Sequence, residues 1–155
     1  MLSQIPKLAA KLYKKPVEKL PKVTVIESSL DSTVLKELYH SSDIFVLPTR
    51  GEGWCLPCVE AMATGKPIIA TNFSGPTAYL DNSVGYPLSY NKVSKDGTVE
   101  PNKTQLTELL TYTATHREEV VNKGKTAQAR VIERYSPTTV AKIAVNRILH
   151  RLSKL

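Results

Sequence analysis

Ile5, Leu8, Ala9, Leu12 and Tyr13 recur at the spacing of one helical face, which predicts an amphipathic helix over residues 4–15. Pro16 and Pro21 close it and form a linker. Residues 22–27 (K-V-T-V-I-E) are short and β-branched, which predicts a strand. Asp31 is a candidate cap for a helix with Val34, Leu35, Leu38 and Tyr39 on one face. Ile44, Phe45, Val46 and Leu47 form a continuous apolar run closed by Pro48, the pattern of a strand buried on both faces. After a loop over residues 49–56, Pro57 suits the first turn of a helix through Val59, Ala61 and Met62, and Gly65 ends it.

Pro67 opens the next apolar strand, Ile68 to Ala70, and Ser74, Gly75 and Pro76 open a short helix through Leu80. Residues 84–88 read as another strand, and the polar residues 90–103 as a flexible excursion. Two helices are expected near 103–115 and 117–134. A last one starts at Ser136 and Pro137 and carries Val140, Ile143, Ala144, Ile148 and Leu152. There is no internal repeat. Apolar strands alternating with helices predict an α/β fold with a parallel sheet covered on both faces. Ligands of such sheets sit at the carboxyl ends of strands, where the 49–56 loop falls.

Composition narrows the class. A chain of 155 residues is one domain's worth, and 41% hydrophobic content is too high for disorder. No apolar run approaches the ~18–20 residues of a membrane span. Two cysteines cannot supply a disulfide scaffold, and a reducing cytoplasmic setting fits them. The N-terminus lacks the unbroken apolar core of a signal peptide, so Asn72-Phe73-Ser74 reads as a chance match to a glycosylation acceptor. The formal net charge is +7, concentrated in Lys7, Lys11, Lys14, Lys15, Lys19 and Lys22. The plain reading of these lysines is a solvated helix face; the functional one is weak peripheral contact with an anionic membrane surface. A nucleic-acid partner is not expected, because aromatics are 6% and no basic-aromatic interleaving occurs.

The chemistry concentrates at residues 49–65. Gly51 and Gly53 flank Glu52, and the chain then enters a helix. Glycines let backbone approach a ligand, and a helix N-terminus offers free N–H groups to an anion such as phosphate. Glu60 lies one turn into that helix among Val59, Ala61, Met62 and Ala63. A carboxylate in apolar company needs a partner or water. It either accepts hydrogen bonds from vicinal hydroxyls, as on a ribose, or merely faces solvent; Glu52 has the same capacity toward a second polyol.

Residues 52–71 (E-G-W-C-L-P-C-V-E-A-M-A-T-G-K-P-I-I-A-T) closely resemble the donor site of family 4 ("group 1") retaining glycosyltransferases of the GT-B fold. Two glutamates separated by seven residues are that family's signature, and Glu52 and Glu60 have this spacing. The likeness extends over 38–49, Gly75 to Leu80, Gly85 to Leu88, Glu100-Pro101 and Arg134-Tyr135-Ser136, so it covers roughly residues 22–150. It implies a partial doubly wound Rossmann-like sheet, the C-terminal domain of a GT-B enzyme, spanning 22–155. Residues 1–21 are then a basic helix and linker, and the two ends are helical extensions.

The resemblance also implies roles. The donor is a nucleoside-diphosphate sugar, with no other cofactor and no metal. Glu52 binds the donor sugar and is the candidate catalytic residue. Gly53, Trp54, Cys55 and Leu56 approach sugar and diphosphate through their backbone, and Glu60 holds the ribose. Thr77 and Arg50 are further candidates near the pocket. Cys55 stands where the family usually has a small residue, often glycine. The leaving diphosphate is stabilised by cations and helix dipoles and helps to deprotonate the acceptor.

The family's C-terminal half normally opens with a strand ending in Gly-Arg, followed by a Lys; both cations serve the diphosphate, and nothing here matches them. That strand normally lies beside the one at 44–48. The expectation is therefore a donor-binding domain that does not transfer sugar alone and relies on a second chain or an N-terminal domain for its acceptor. The alternative is a non-catalytic nucleotide-sugar-binding or partner-docking module. A distant third is a thioredoxin-like redox protein, from Cys55 and Cys58 between a strand and a helix. Zinc is disfavoured, because His40, His116 and His150 lack ligand spacing.

Overall fold

The computed structural model of the chain describes residues 5–154. Two compact units result, Met1–Ser32 and Thr33–Leu155. In the first, helix α1 (Ile5–Tyr13) is followed by a 3-10 turn, Val17–Lys19. Position 4 of the expected helix lies outside the described residues. The strand expected at 22–27 does not form: the segment belongs to neither sheet, and Val23, Val25 and Ile26 stay exposed. β-propensity reflects fit to a neighbouring ladder, and among the described residues no strand pairs with this segment.

The second unit is built on a three-stranded parallel sheet. Helix α2 (Ser32–Ser41) leads to β1 (Phe45–Leu47), α3 (Leu56–Ala63), β2 (Ile68–Thr71), a 3-10 turn (Gly75–Ala78) and β3 (Gly85–Leu88). Spatial order is β1-β2-β3, with Phe45 opposite Ile68 and Ile68 opposite Gly85. The middle strand is buried at all four positions, which is why it reads as unbroken I-I-A-T. Hairpin β4 (Tyr90–Val93) and β5 (Val99–Pro101) follows, then α4 (Lys103–Thr115), α5 (Arg117–Tyr135) and α6 (Pro137–Leu152).

Side chains alternate across the sheet. Ile68 and Ala70 join Cys58, Ala61 and Met62 of α3 and Ala127 and Val131 of α5 in one core. Ile69 points to the other face, with Tyr86, Leu88 and Val120, against Leu106 and Leu109 of α4. Ile68, Ile69 and Met62 are fully buried, each contributing about 1.5–3 kcal/mol relative to exposure. Caps follow the sequence: the Asn102 side chain accepts from Gln105 N–H at 3.1 Å, and Ser136 from Thr139 N–H at 3.3 Å. Gly65 ends α3 at φ +78°, where a side chain would be strained. Helix α6 buries none of its residues.

The excursion expected at 90–103 is instead an antiparallel hairpin. Its turn is made by Asp96 and Gly97: Asp96 Oδ1 accepts from Thr98 N–H and Oγ1, and Gly97 takes φ +81°. The polar β4 hid the strand pattern, since all four of its residues are exposed while Val99 opposite is fully buried.

One ion pair ties α5 to the loop before β3. Asp81 Oδ2 lies 2.7 Å from Arg130 Nη1, and Oδ1 accepts from Ser83 N–H and Oγ. Burial pushes the Asp81 carboxyl up, but the Ser83 and Arg130 hydrogen bonds outweigh it and bring it down to about 2. A carboxyl depressed on folding stabilises above its unfolded value and loses that contribution as pH falls toward its folded value. The window here runs from about pH 4 down to about pH 2. The Asp81 side chain is 56% exposed, so the screened contribution is on the order of 1 kcal/mol. Asp81→Asn is expected to flatten the acid limb of urea-unfolding stability in that window; parallel limbs for variant and wild type would contradict this.

Candidate functional site

The carboxyl ends of β1 and β2 carry two loops, 48–55 and 72–78, that fasten to each other. Gly75 N–H donates to the Glu52 carbonyl at 2.9 Å. A Cβ built on Gly75 would lie 2.3 Å from the Gly53 carbonyl oxygen, so only glycine admits this approach. The buried Tyr79 hydroxyl donates to the Trp54 carbonyl at 2.7 Å, and Thr71 Oγ1 to the Thr49 carbonyl at 2.7 Å. The Trp54 ring makes edge contacts with Tyr79 and Tyr135 at 5.2 and 5.3 Å. Burial first, then the Glu52 carboxylate and Tyr135, hold the Tyr79 phenol well above its ordinary range, so it remains a donor. From β5, Val99 N–H donates to the Arg50 carbonyl at 2.8 Å. The loop holding Glu52 is thus braced by four hydrogen bonds, from Gly75, Tyr79, Thr71 and Val99.

Cys55 is the N-cap of α3 and sits in the left-handed region, φ 67° and ψ 71°. Its carbonyl accepts from Cys58 N–H at 3.1 Å and Val59 N–H at 3.3 Å. Cys55 and Cys58 are joined by a disulfide. Their spacing across the first turn of a helix brings the Cα atoms to 5.3 Å, within bridging reach.

Glu60 is exposed on α3 rather than enclosed by its apolar sequence neighbours, so no desolvation has to be offset. Its Oε2 accepts from the Tyr39 hydroxyl of α2 at 3.3 Å. Burial, then the Glu60 charge and this bond, raise the Tyr39 phenol and keep it protonated. Glu52 is half-buried, Gly53 and Leu56 are exposed, and Trp54 is half-buried. Thr77 is exposed in the second loop, its hydroxyl donating to the Ser74 carbonyl at 2.7 Å. Arg50 turns toward the hairpin, 3.0 Å from Glu100 Oε2. Sequence reasoning missed Tyr39 and Tyr79 as supports. A tyrosine on an otherwise apolar helix face was the available signal, since a buried hydroxyl needs a partner.

Among the described residues, no group of three His, Cys, Asp or Glu is placed to hold a metal ion, and no helix is long and apolar enough to cross a membrane. A separate cavity of about 430 Å³ lies before the strands, lined by Asp43, Lys66, Arg117 and Lys125 among others.

A parallel sheet between helices, with its loop and helix N-terminus at the strands' carboxyl ends, is the architecture of a GT-B C-terminal domain. The C-terminal domain of a glycosyl transferase group 1 family protein (LpcC) from Francisella tularensis superposes with TM-score 0.63 at 24% identity, over 84% of this chain and 62% of that one. HepE from Anabaena, solved in complex with UDP-glucose, superposes with TM-score 0.66 at 17% identity, over 99% of this chain and 38% of that one.

The sequence goes further than the fold: the glycosyl transferases group 1 family matches residues 10–130, and the chain belongs to that family. It is 32% identical over 112 residues to the sucrose synthase of Acidithiobacillus caldus, covering 69% of this chain and 13% of that protein. It is 45% identical over 42 residues to the lipopolysaccharide core biosynthesis mannosyltransferase LpsB of Rhizobium meliloti, covering 27% of this chain and 12% of that protein. The chain spans about an eighth of the length of these two relatives.

Proposed function

We propose that this chain is the donor-binding part of a retaining glycosyltransferase and takes a nucleoside-diphosphate sugar. The observation that carries the reading is the braced loop that delivers Glu52 and the α3 N-terminus to the carboxyl ends of the strands, with Glu60 one turn further on. Glu60, steadied by Tyr39, accepts from the ribose hydroxyls. Glu52 accepts from the donor sugar. The backbone from Gly53 to Leu56 faces the diphosphate, whose charge the helix terminus favours. Thr77 and Arg50 border this surface. Family membership supports the reading, and HepE, bound to UDP-glucose in its structure, shares the fold. Acceptor recognition then belongs to residues beyond these 155, on the same polypeptide or on a partner, and the 155-residue chain alone is not expected to transfer sugar.

The test is calorimetry and thermal unfolding against UDP-, GDP- and ADP-sugars. A ligand that binds only the folded state adds about 2.7 kcal/mol of stability at a hundredfold excess over its Kd. One nucleotide is expected to raise the melting temperature, and no response at millimolar concentration of any would overturn the reading. Glu60→Gln is expected to weaken nucleoside diphosphate and sugar nucleotide alike, by about tenfold, for the loss of a charge-assisted hydrogen bond. Glu52→Gln should weaken only the sugar nucleotide. Tyr39→Phe should weaken the nucleotide but not its 2′,3′-dideoxy analogue, because its effect runs through the carboxylate that meets those hydroxyls. Equal loss for both analogues would leave Tyr39 a packing residue.

A further inference from the structure

We propose that Cys55 and Cys58 are a thiol–disulfide exchange site whose oxidation state sets the conformation of the donor loop. The part concerning donor affinity rests on the function proposed above; the exchange itself does not.

Three observations converge on this pair. First, the cysteines are the only two in the chain, and they are bonded to each other across the first turn of α3. A helix N-terminus stabilises a thiolate, and the thiolate is the form that exchanges. Second, Cys55 holds a left-handed backbone, a conformation that side chains other than glycine adopt at a cost. The bridge to Cys58 fixes its side chain there, and Tyr79 and Gly75 hold the residues just before it. Cutting the bridge removes a constraint at the junction of loop and helix, and Cys55 is free to relax toward negative φ. That relaxation rotates the peptide groups on either side, the ones expected to face the diphosphate. Third, the pair lies just beneath the surface. Cys55 and Cys58 are 3% and 0% exposed, but Leu56 between them is 66% exposed, and nothing lies within 4 Å of a Cβ built on Gly53. A local opening of this loop therefore exposes the sulfurs without unfolding the sheet.

The exchange balances with a small-molecule disulfide such as glutathione disulfide as oxidant. The Cys55 thiolate attacks one sulfur of that disulfide, a mixed disulfide forms, and one thiolate leaves and takes a proton. The Cys58 thiolate then attacks Cys55 Sγ, the intramolecular bond forms, and the second small thiol departs. Two electrons pass from the protein to the oxidant, and a dithiol reductant reverses both steps.

The oxidised loop is the binding form, and reduction is expected to weaken donor binding about tenfold, the size of a left-handed preference released at one residue. Trp54, the single tryptophan, adjoins Cys55 and reports the exchange without any ligand. The experiment equilibrates the 155-residue chain at graded ratios of glutathione to its disulfide. Trp54 emission and acid-quenched alkylation are read together, and UDP-glucose and GDP-mannose are titrated at each extreme. One reversible transition, common to emission and alkylation, is expected, with the weaker donor binding on the reduced side. Cys58→Ala, titrated without glutathione disulfide so that Cys55 is not capped, should bind like the reduced chain. If that variant does not fold, chemical reduction of the wild type supplies the same comparison. Emission and alkylation that ignore the ratio would overturn the proposal, as would equal affinity in the two states. If neither sugar nucleotide binds in either state, the donor reading fails, and the exchange site stands or falls on Trp54 emission and alkylation.

Discussion

Gly75→Ala is expected to abolish measurable sugar-nucleotide binding while leaving the sheet folded. The new Cβ would lie 2.3 Å from the Gly53 carbonyl oxygen, 2.6 Å from its carbon and 2.7 Å from Trp54 Cα. All three are backbone atoms, so no rotamer change relieves the collision. The loop over 52–55 must retreat, and the Gly75 N–H bond to the Glu52 carbonyl goes with it. Displacements near 1 Å at a positioned group cost about 100-fold in function. Both loops are at the surface, so the stability loss should stay within about 2 kcal/mol. Gly51→Ala is the control: nothing lies within 4 Å of its Cβ, and it should bind as wild type does. Calorimetry with whichever sugar nucleotide the wild type binds, beside urea unfolding, separates the two effects. Wild-type affinity in Gly75→Ala would mean that the 52–55 loop is not part of the binding surface.

The second large effect is on stability and has an unusual sign. Alanine for glycine inside a helix ordinarily stabilises by about 1 kcal/mol. Gly124 lies in the interior of α5, yet its Cβ would meet the Gly65 carbonyl oxygen at 2.1 Å and Pro67 Cδ at 3.1 Å. The missing side chain is what lets α5 lie on the turn between α3 and β2. Overpacking of this kind costs about 1–3 kcal/mol or more. Gly124→Ala should therefore destabilise by about 2 kcal/mol net of the helix gain, read as a lower urea midpoint at unchanged slope. Gly124→Val should cost more. A stabilised Gly124→Ala would show that α5 does not press on that turn.

These two glycines mark what a sequence reader cannot see. The strand at 45–47, the helix behind Pro57 and the strand at 68–71 announce themselves through local pattern: the last is buried at every position, the first is half-buried throughout, and the helix buries Cys58, Ala61 and Met62 on one face. The segment 22–27 has the same β-branched character and makes no strand, because a ladder requires a neighbour and propensity alone supplies none. The 90–103 hairpin was missed for the opposite reason: its exposed strand has no apolar alternation, and only Asp96-Gly97 signalled the turn. The glutamate spacing placed one carboxylate in a loop and the other in a helix, as observed. The supports could not be read the same way. Tyr39 meets Glu60 across 21 residues, and Tyr79 meets Trp54 across 25, distances at which no periodicity carries information.

The order β1-β2-β3 is also the order of the chain. Among the described residues each strand after β1 hydrogen-bonds to one already present, after a local connection, and none is inserted between two earlier ones. Such a sheet can be laid down as the polypeptide leaves the ribosome, each strand docking on its predecessor before the next has been translated. Synthesis rate and assembly are then naturally in step, and α5, which closes the core over α3, arrives after the whole sheet as the latch.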